Sequence, residues 1–288
     1  MKILAVIIMF VLSTALVSDK PAYNLFDKSG KEVAYKMMID ELNKADVVFF
    51  GELHNNSIAH WLQFEITKDL YTTHDKKIVL GAEMFESDNQ LIMNEYLKGI
   101  ILEPKFEEEA RLWPNYETDY KPLVNFAKEN NLNFVACNIP RRYASVVFSG
   151  GFEALNNLSN EAKQYIAPLP IEYNPELKCY KDMTQMSGGM GHKMTNENLP
   201  KAQAAKDATM AHFIAKNHAK GSIFIHYNGS YHSDNYQGII TYLKKTNPEL
   251  KIATITTVES NDLTQITEEA KQSADFIINV NENVTKTH

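Results

Sequence analysis

The sequence predicts an α/β protein with a parallel-rich central sheet, helices on both faces and an inserted helical subdomain. Three observations carry this expectation. Six short apolar runs rich in Val, Ile and Phe recur along the chain, helix-period segments separate most of them, and strand signals vanish between 140 and 200. Strands covered by helices on both sides are apolar throughout rather than alternating, and these runs are of that kind.

The runs are 46–51 (DVVFFG), 77–83 (KIVLGAE), 133–138 (NFVACN), 222–227 (SIFIHY), 252–258 (IATITTV) and 275–280 (DFIINV). After the first, Asn56 and Ser57 form a capping-type pair, and Ile58, Trp61, Leu62, Ile66 and Leu70 follow at helical spacing. A second helix is expected from about Tyr120 to Asn130. The strand-free region holds a helical stretch near Ala154, a turn at Pro168-Leu169-Pro170 and a Gly/Met segment, SGGMGHKM, from Ser187 to Met194. Residues 201–216 are strong helix formers that return the chain to the sheet. With no internal repeat and no low-complexity linker, residues 19–288 read as one domain.

Residues 1–18 precede this domain as a leader. Lys2, the apolar run ILAVIIMFVL and the small residues Ser13, Thr14 and Ala15 follow the order of a secretory signal peptide cleaved near Ala15 or Ser18. The other reading is an uncleaved anchor, but the run from Ile3 to Val17 falls short of the roughly 20 apolar residues that cross a bilayer. Lipid attachment needs a cysteine just after the run, and the first cysteine is Cys137. A protein exported to the periplasm or cell envelope without a lipid anchor is therefore expected. Cys137 and Cys179 match no metal-ligand spacing, and a disulfide between them stays open. A net charge of −7, with no dense Lys/Arg run, argues against nucleic acid as a partner.

Ligands of open α/β sheets bind beyond the carboxyl ends of the strands, so polar residues there are the first candidates for chemistry. The first strand closes into Glu52 and His54, two apart and able to point the same way, with His60 on the first turn of the following helix. The second closes with Glu83 and then Glu86, and the fourth closes with His226 before a glycine turn that carries His232. Glu52, His54, Glu83 and His232 suit general acid–base catalysis. With His60 and His226 they also suit a divalent ion such as Mn, Co or Zn, or a polar floor under a ligand. His60 packed at its helix start, His226 in the core and Glu86 as a solvated acid are the structural alternatives. Arg141 and Arg142, just past the third strand, suit a carboxylate-bearing ligand, with surface ion pairs as the plain alternative.

The blocks GELHNNSIAHWLQ, EMFESDNQ, LWPNYETDYKPLVNFAKENNLNFVACNIPRR, AQAAKDATMAHFI and GSYHSDNYQGI, in this order between Phe49 and Leu243, resemble the ChaN-type haem-binding uptake proteins. That family belongs to a superfamily with the Tiki proteases and the erythromycin esterase-like enzymes. The resemblance implies a haem- or iron-uptake role in bacteria, haem as cofactor, a haem-mediated homodimer with a tyrosine oxygen on ferric iron, and an outer-membrane haem receptor as partner. Tyr143, beside Arg141 and Arg142, is the expected tyrosine, with Tyr116, Tyr120, Tyr173 and Tyr180 not excluded. His192 and Met190 are rival axial ligands, because imidazole and thioether both bind haem iron. On this view a Met-rich surface around 143–194 holds the porphyrin. The superfamily also implies a second reading, a metal-dependent hydrolase that uses the Glu/His residues.

Overall fold

The computed structural model describes residues 20–186 and 197–288. The expected leader and two expected iron ligands, Met190 and His192, lie outside the described residues.

The chain runs β1 (Tyr23–Asp27), α1 (Tyr35–Leu42), β2 (Val47–Glu52), α2 (Ser57–Thr73), β3 (Ile78–Glu86), α3 (Gln90–Leu97), α4 (Glu103–Glu109) and α5 (Lys121–Glu129). It continues with β4 (Phe134–Asn138), α6 (Arg141–Gly150), α7 (Lys178–Met186), α8 (Leu199–Asn217), β5 (Ile223–Gly229), α9 (Ile239–Thr246), β6 (Ile252–Ser260) and β7 (Phe276–Asn281). The strands form one sheet in the order β1-β7-β6-β2-β5-β3-β4. Every neighbouring pair is parallel except β1 with β7.

All six expected strands are present, and burial explains why they could be read. Each residue of β2, β3, β4 and β5 is buried, so these strands are apolar on both faces. Val48 and Phe50 of β2 join a core with Leu62, Ile66 and Leu70 of α2, whereas Val47 and Phe49 point to Met210 and Ile214 of α8 and Leu243 of α9. The antiparallel edge strand β1 gives almost no signal, because only Leu25 and Phe26 of its five residues are buried. At the opposite edge Gln90 bonds the outer side of β4. Its Nε2 donates to the Phe134 carbonyl at 3.0 Å and its Oε1 accepts from the Ala136 amide at 2.7 Å.

The helical region between 140 and 200 contains α6, two short 3-10 segments (Phe152–Asn157 and Ala162–Tyr165) and α7. The stretch expected near Ala154 is the first of these 3-10 segments. Ile139, Val147, Leu155, Ile166 and Ile171 form a small core here, closed by Ala202, Ala205 and Ala208 of α8.

α2 starts where the capping pair placed it. The Asn56 side chain accepts from the amides of Ile58 and Ala59 at 3.1 and 2.9 Å, and its own amide donates to Glu259 at 2.7 Å. Replacing this fully buried cap by alanine is expected to cost about 1–2 kcal/mol, because two amides and Glu259 lose a partner. A denaturant titration with unchanged midpoint would contradict this.

Candidate ligand crevice

β2 is central, and the chain passes from it first to β3 and β4 on one side, then back through β5 between β2 and β3, and on to β6 and β7 on the other side. The carboxyl ends of β2, β3, β4 and β5 therefore open on a common crevice at the point where the strand order reverses. It encloses a cavity of about 920 Å³, lined by Glu52, His54, Glu83 and His232 among others. The four residues expected to meet do so.

Two hydrogen-bonded groups make up the floor. Glu52, buried at the end of β2, accepts from the Tyr120 hydroxyl at 2.6 Å and from the Gln63 amide, and pairs with His54 Nδ1 at 2.8 Å. Burial works against the charged form of His54, but the hydrogen bond to Glu52 and the charges of Glu83 and Glu52 outweigh it and raise the imidazole pKa. His54 keeps 39% of its side-chain surface exposed, and no hydrogen bond occupies its Nε2 among the described residues. Gly229 makes room for the ring, since a Cβ there would lie 2.7 Å from Nε2.

The second group spans four elements. Glu83 Oε2 accepts from the Gly229 amide at 2.8 Å, and its Oε1 lies 3.2 Å from His232 Nε2. His232 Nδ1 bonds Asp207 of α8, and Asp207 accepts from the Tyr180 hydroxyl of α7 at 2.7 Å. Burial alone would neutralise His232, but Glu83 and Asp207 on either side push its pKa up to about 10. Glu83 is opposed by burial and rescued by the His232 charge, which with His54 and the Gly229 amide holds its carboxyl well below the usual range. The unit is a carboxylate–imidazolium–carboxylate sandwich closed by a phenol.

The remaining candidates separate. His60 is buried behind Glu52, with Nε2 3.3 Å from Asp119 and Nδ1 on Gln63 Oε1 at 3.0 Å, and it does not line the cavity. His226 faces the other side of the sheet, packed against Phe49 and Phe224 with Nδ1 bonded to Asn228 at 3.0 Å. Burial drops its pKa to about 4, which makes it a neutral core histidine and corrects its place among metal ligands. Among the described residues no set of three His, Cys, Asp or Glu side chains is arranged to hold a metal ion. The carboxylates expected to ligate one already hold Tyr120, Gln63, His54, His232 and the Gly229 amide.

Arg141 lines the cavity and pairs with Glu86, which also accepts from Arg111 at 3.0 Å. Glu86 is thus buried and paired rather than solvated. Arg142 pairs with Asp88 at 2.5 Å and lies over the Tyr143 ring, 4.4 Å from its centroid, donating to the Tyr143 hydroxyl at 3.3 Å. Neither Arg142 nor Tyr143 lines the cavity, so the expected arginine–tyrosine site divides, with Arg141 inside and the other two outside. Lys206, one turn along α8 from Gln203, lines the cavity and has no ion pair among the described residues. The opposite chemistry comes from Leu53, Leu112, Trp113, Pro114 and Ile139, with Trp113 edge-on to His54 at 5.0 Å.

The family model described as "Haem-binding uptake, Tiki superfamily, ChaN" matches residues 38–243, most of the chain and nearly all of the crevice. The chain belongs to the ChaN family. Among solved structures it is similar to ChaN of Campylobacter jejuni, whose structure is described as showing cofacial heme binding. The TM-score is 0.68 at 19% identity over 89% of this chain and 96% of that one. A Bacillus cereus protein gives a TM-score of 0.50 at 10% identity, over 85% and 90% of the two chains. These likenesses concern the fold. The chloroplastic protein RETICULATA-RELATED 5 of Arabidopsis thaliana is 24% identical over 139 residues, 46% of this chain but only 19% of that protein's length.

In this ChaN-family chain sequence reasoning missed Lys206 in the cavity lining and Asp207 behind His232, and it named Tyr180 as an alternative iron ligand, not as the partner of Asp207. Asp207 left a trace, since it is an acid three residues after Ala204 and four before Ala211, on the alanine face that α8 buries. Lys206 left none, because a lysine on a helix is ordinary.

Proposed function

We propose that this ChaN-family protein binds haem in the crevice and acts in bacterial haem or iron uptake outside the cytoplasm. One observation carries the reading. A single cavity sets an apolar wall with Trp113 against the cations Lys206 and Arg141, above a floor that presents an imidazole nitrogen. A planar apolar ring with two carboxylates and an iron that accepts a nitrogen donor matches all three features. At about 920 Å³ the cavity is near the upper end of ligand pockets, as a tetrapyrrole requires. Lys206 and Arg141 would hold the carboxylates, Trp113 and its apolar neighbours would exclude water, and His54, fixed through Nδ1 by Glu52, would offer Nε2. When bound, haem would supply an iron that accepts a nitrogen donor and a porphyrin whose absorption reports binding. The order of charges and small residues in 1–18 supports export, and the family supports a haem-mediated homodimer and exchange with an outer-membrane receptor.

Hemin titration of the purified protein is expected to give a saturable Soret change at micromolar hemin. Lys206→Ala should bind about tenfold more weakly, the equivalent of ~1.4 kcal/mol, and Lys206→Arg should recover most of the loss. Absence of saturation in the wild-type protein would overturn the reading.

The sandwich around His232 favours a second reading, hydrolysis of an ester or amide by general acid–base chemistry. There, Glu52→Gln would abolish turnover by changing the His54 tautomer. A broad ester and amide screen with no turnover by the wild-type protein removes it.

A further inference from the structure

The segment 284–288, which follows β7, ties together two walls of the crevice. One wall is the stretch after β2. There Asn56 and Lys286 form an antiparallel bridge, the Thr287 amide donates to the Asn55 carbonyl at 3.0 Å, and the Ser57 hydroxyl donates to the Thr285 carbonyl at 3.1 Å. The other wall is 112–119, which Thr287 reaches with its hydroxyl, donating at 2.7 Å to Asp119. Asp119 is buried and also accepts from the Asn115 amide at 2.7 Å. That amide donates in addition to the His54 carbonyl at 3.0 Å, so a side chain of one wall holds the backbone of the other. On the crevice side the two walls meet where Trp113 stands edge-on to His54, their ring centroids 5.0 Å apart.

What holds the segment is polar and close to solvent. Thr285, Lys286 and His288 are exposed, Lys286 pairs with Glu259, and Val284 packs against the core. Conformational entropy opposes fixing such a stretch residue by residue, and each exposed hydrogen bond offsets only part of that loss. The segment therefore stands at the low end of local stability, well below the buried strands, and detaches while the sheet stays folded. Its inner end nevertheless reaches a buried carboxylate, so detachment takes a donor from Asp119 and slackens the support of Asn115.

We infer that residues 284–288 are a clasp that gates the crevice. Fastened, they hold the His54 and Trp113 walls together through Asp119 and Asn115; unfastened, they let the walls part for a ligand to enter or leave. The inference concerns regulation of the same site and rests on the haem-binding reading for the identity of the ligand. The clasp lies beyond the stretch matched by the family model, which ends at residue 243.

Hydrogen exchange on the ligand-free full chain tests the clasp, and hemin kinetics test the gate. In Thr287→Val, residues 53–57 and 112–119 are expected to lose protection together with 284–288, while β2, β3 and β5 keep theirs. Thr287→Ser, which retains the hydroxyl, should exchange like wild type. Loss of one hydrogen bond to a buried carboxylate should raise the open population about tenfold. Hemin capture by Thr287→Val, and hemin release from it to excess apomyoglobin, are then each expected to be about tenfold faster than in wild type, with the dissociation constant nearly unchanged. A segment that only stiffened the bound state would instead speed release, leave capture alone and weaken binding, and that pattern overturns the gate. So does a wild-type release rate from a Thr287→Val protein whose walls have loosened. Walls that keep full protection in Thr287→Val overturn the clasp. Wild-type protein that takes up no hemin removes the haem reading and the gate with it, while the exchange result still decides the clasp.

Discussion

His232→Ala is expected to lower stability by about 3–5 kcal/mol, the effect of taking one partner out of a buried ionic group. The imidazolium sits between Glu83 and Asp207 with all three residues almost fully buried, so its loss leaves two carboxylates facing a void. For a chain of this size that lowers the melting temperature by roughly 10 °C. The pH dependence gives a sharper signature. His232 is raised from 6.5 to about 10 on folding, so the stability its proton brings is complete below 6.5 and is lost as pH climbs toward 10. Glu83 is lowered from 4.5, so its contribution is complete above 4.5 and is lost in acid. The stability gap between wild type and His232→Ala should thus be widest from about pH 4.5 to 6.5 and narrow toward pH 10. A gap that is flat across this range would show that packing, not charge, is what His232 supplies.

Gly238→Ala is expected to be comparably harmful by a different route. Gly238 has φ +56° and ψ −120°, a conformation that residues with a Cβ rarely adopt. A Cβ there would lie 2.3 Å from the His232 carbonyl oxygen and 3.3 Å from Asp207. Backbone strain and overpacking are worth about 1–3 kcal/mol each, and here they coincide. The relief available is movement of the loop that carries His232, so the variant should also lose much of the pH signature of the sandwich. A Gly238→Ala protein that melts like wild type would show the loop to be more yielding than its contacts indicate.

Much of this crevice was legible because strand ends are positions the chain advertises. An apolar run that stops at Glu52 or Glu83, or runs into a glycine turn before His232, exposes its polar residue at the rim whichever way the sheet is assembled. His226 shows where such reading fails. It lies inside the run, and whether it faces the crevice or the core depends on which side of β5 is shared with Phe224 and Asn228, a choice made by α8 and α9 in three dimensions. Arg141 and Arg142 were found, but their partners Glu86 and Asp88 are 54 or 55 residues away in sequence, so pairing with this protein's own carboxylates could not be separated from pairing with a ligand's. Asp207 matters only through contacts made after the fold closes. Of the secondary structure, β1 was hidden because an edge strand needs only one buried face.

Gln90 has a bearing on how two copies of this protein can meet. Its side-chain amide imitates a neighbouring peptide unit and occupies the donor and acceptor that β4 would otherwise offer to a visitor. A sheet plugged at this rim is a poor template for a continuous intermolecular ribbon. Any pairing of two copies strand to strand along that border would first have to displace this side chain.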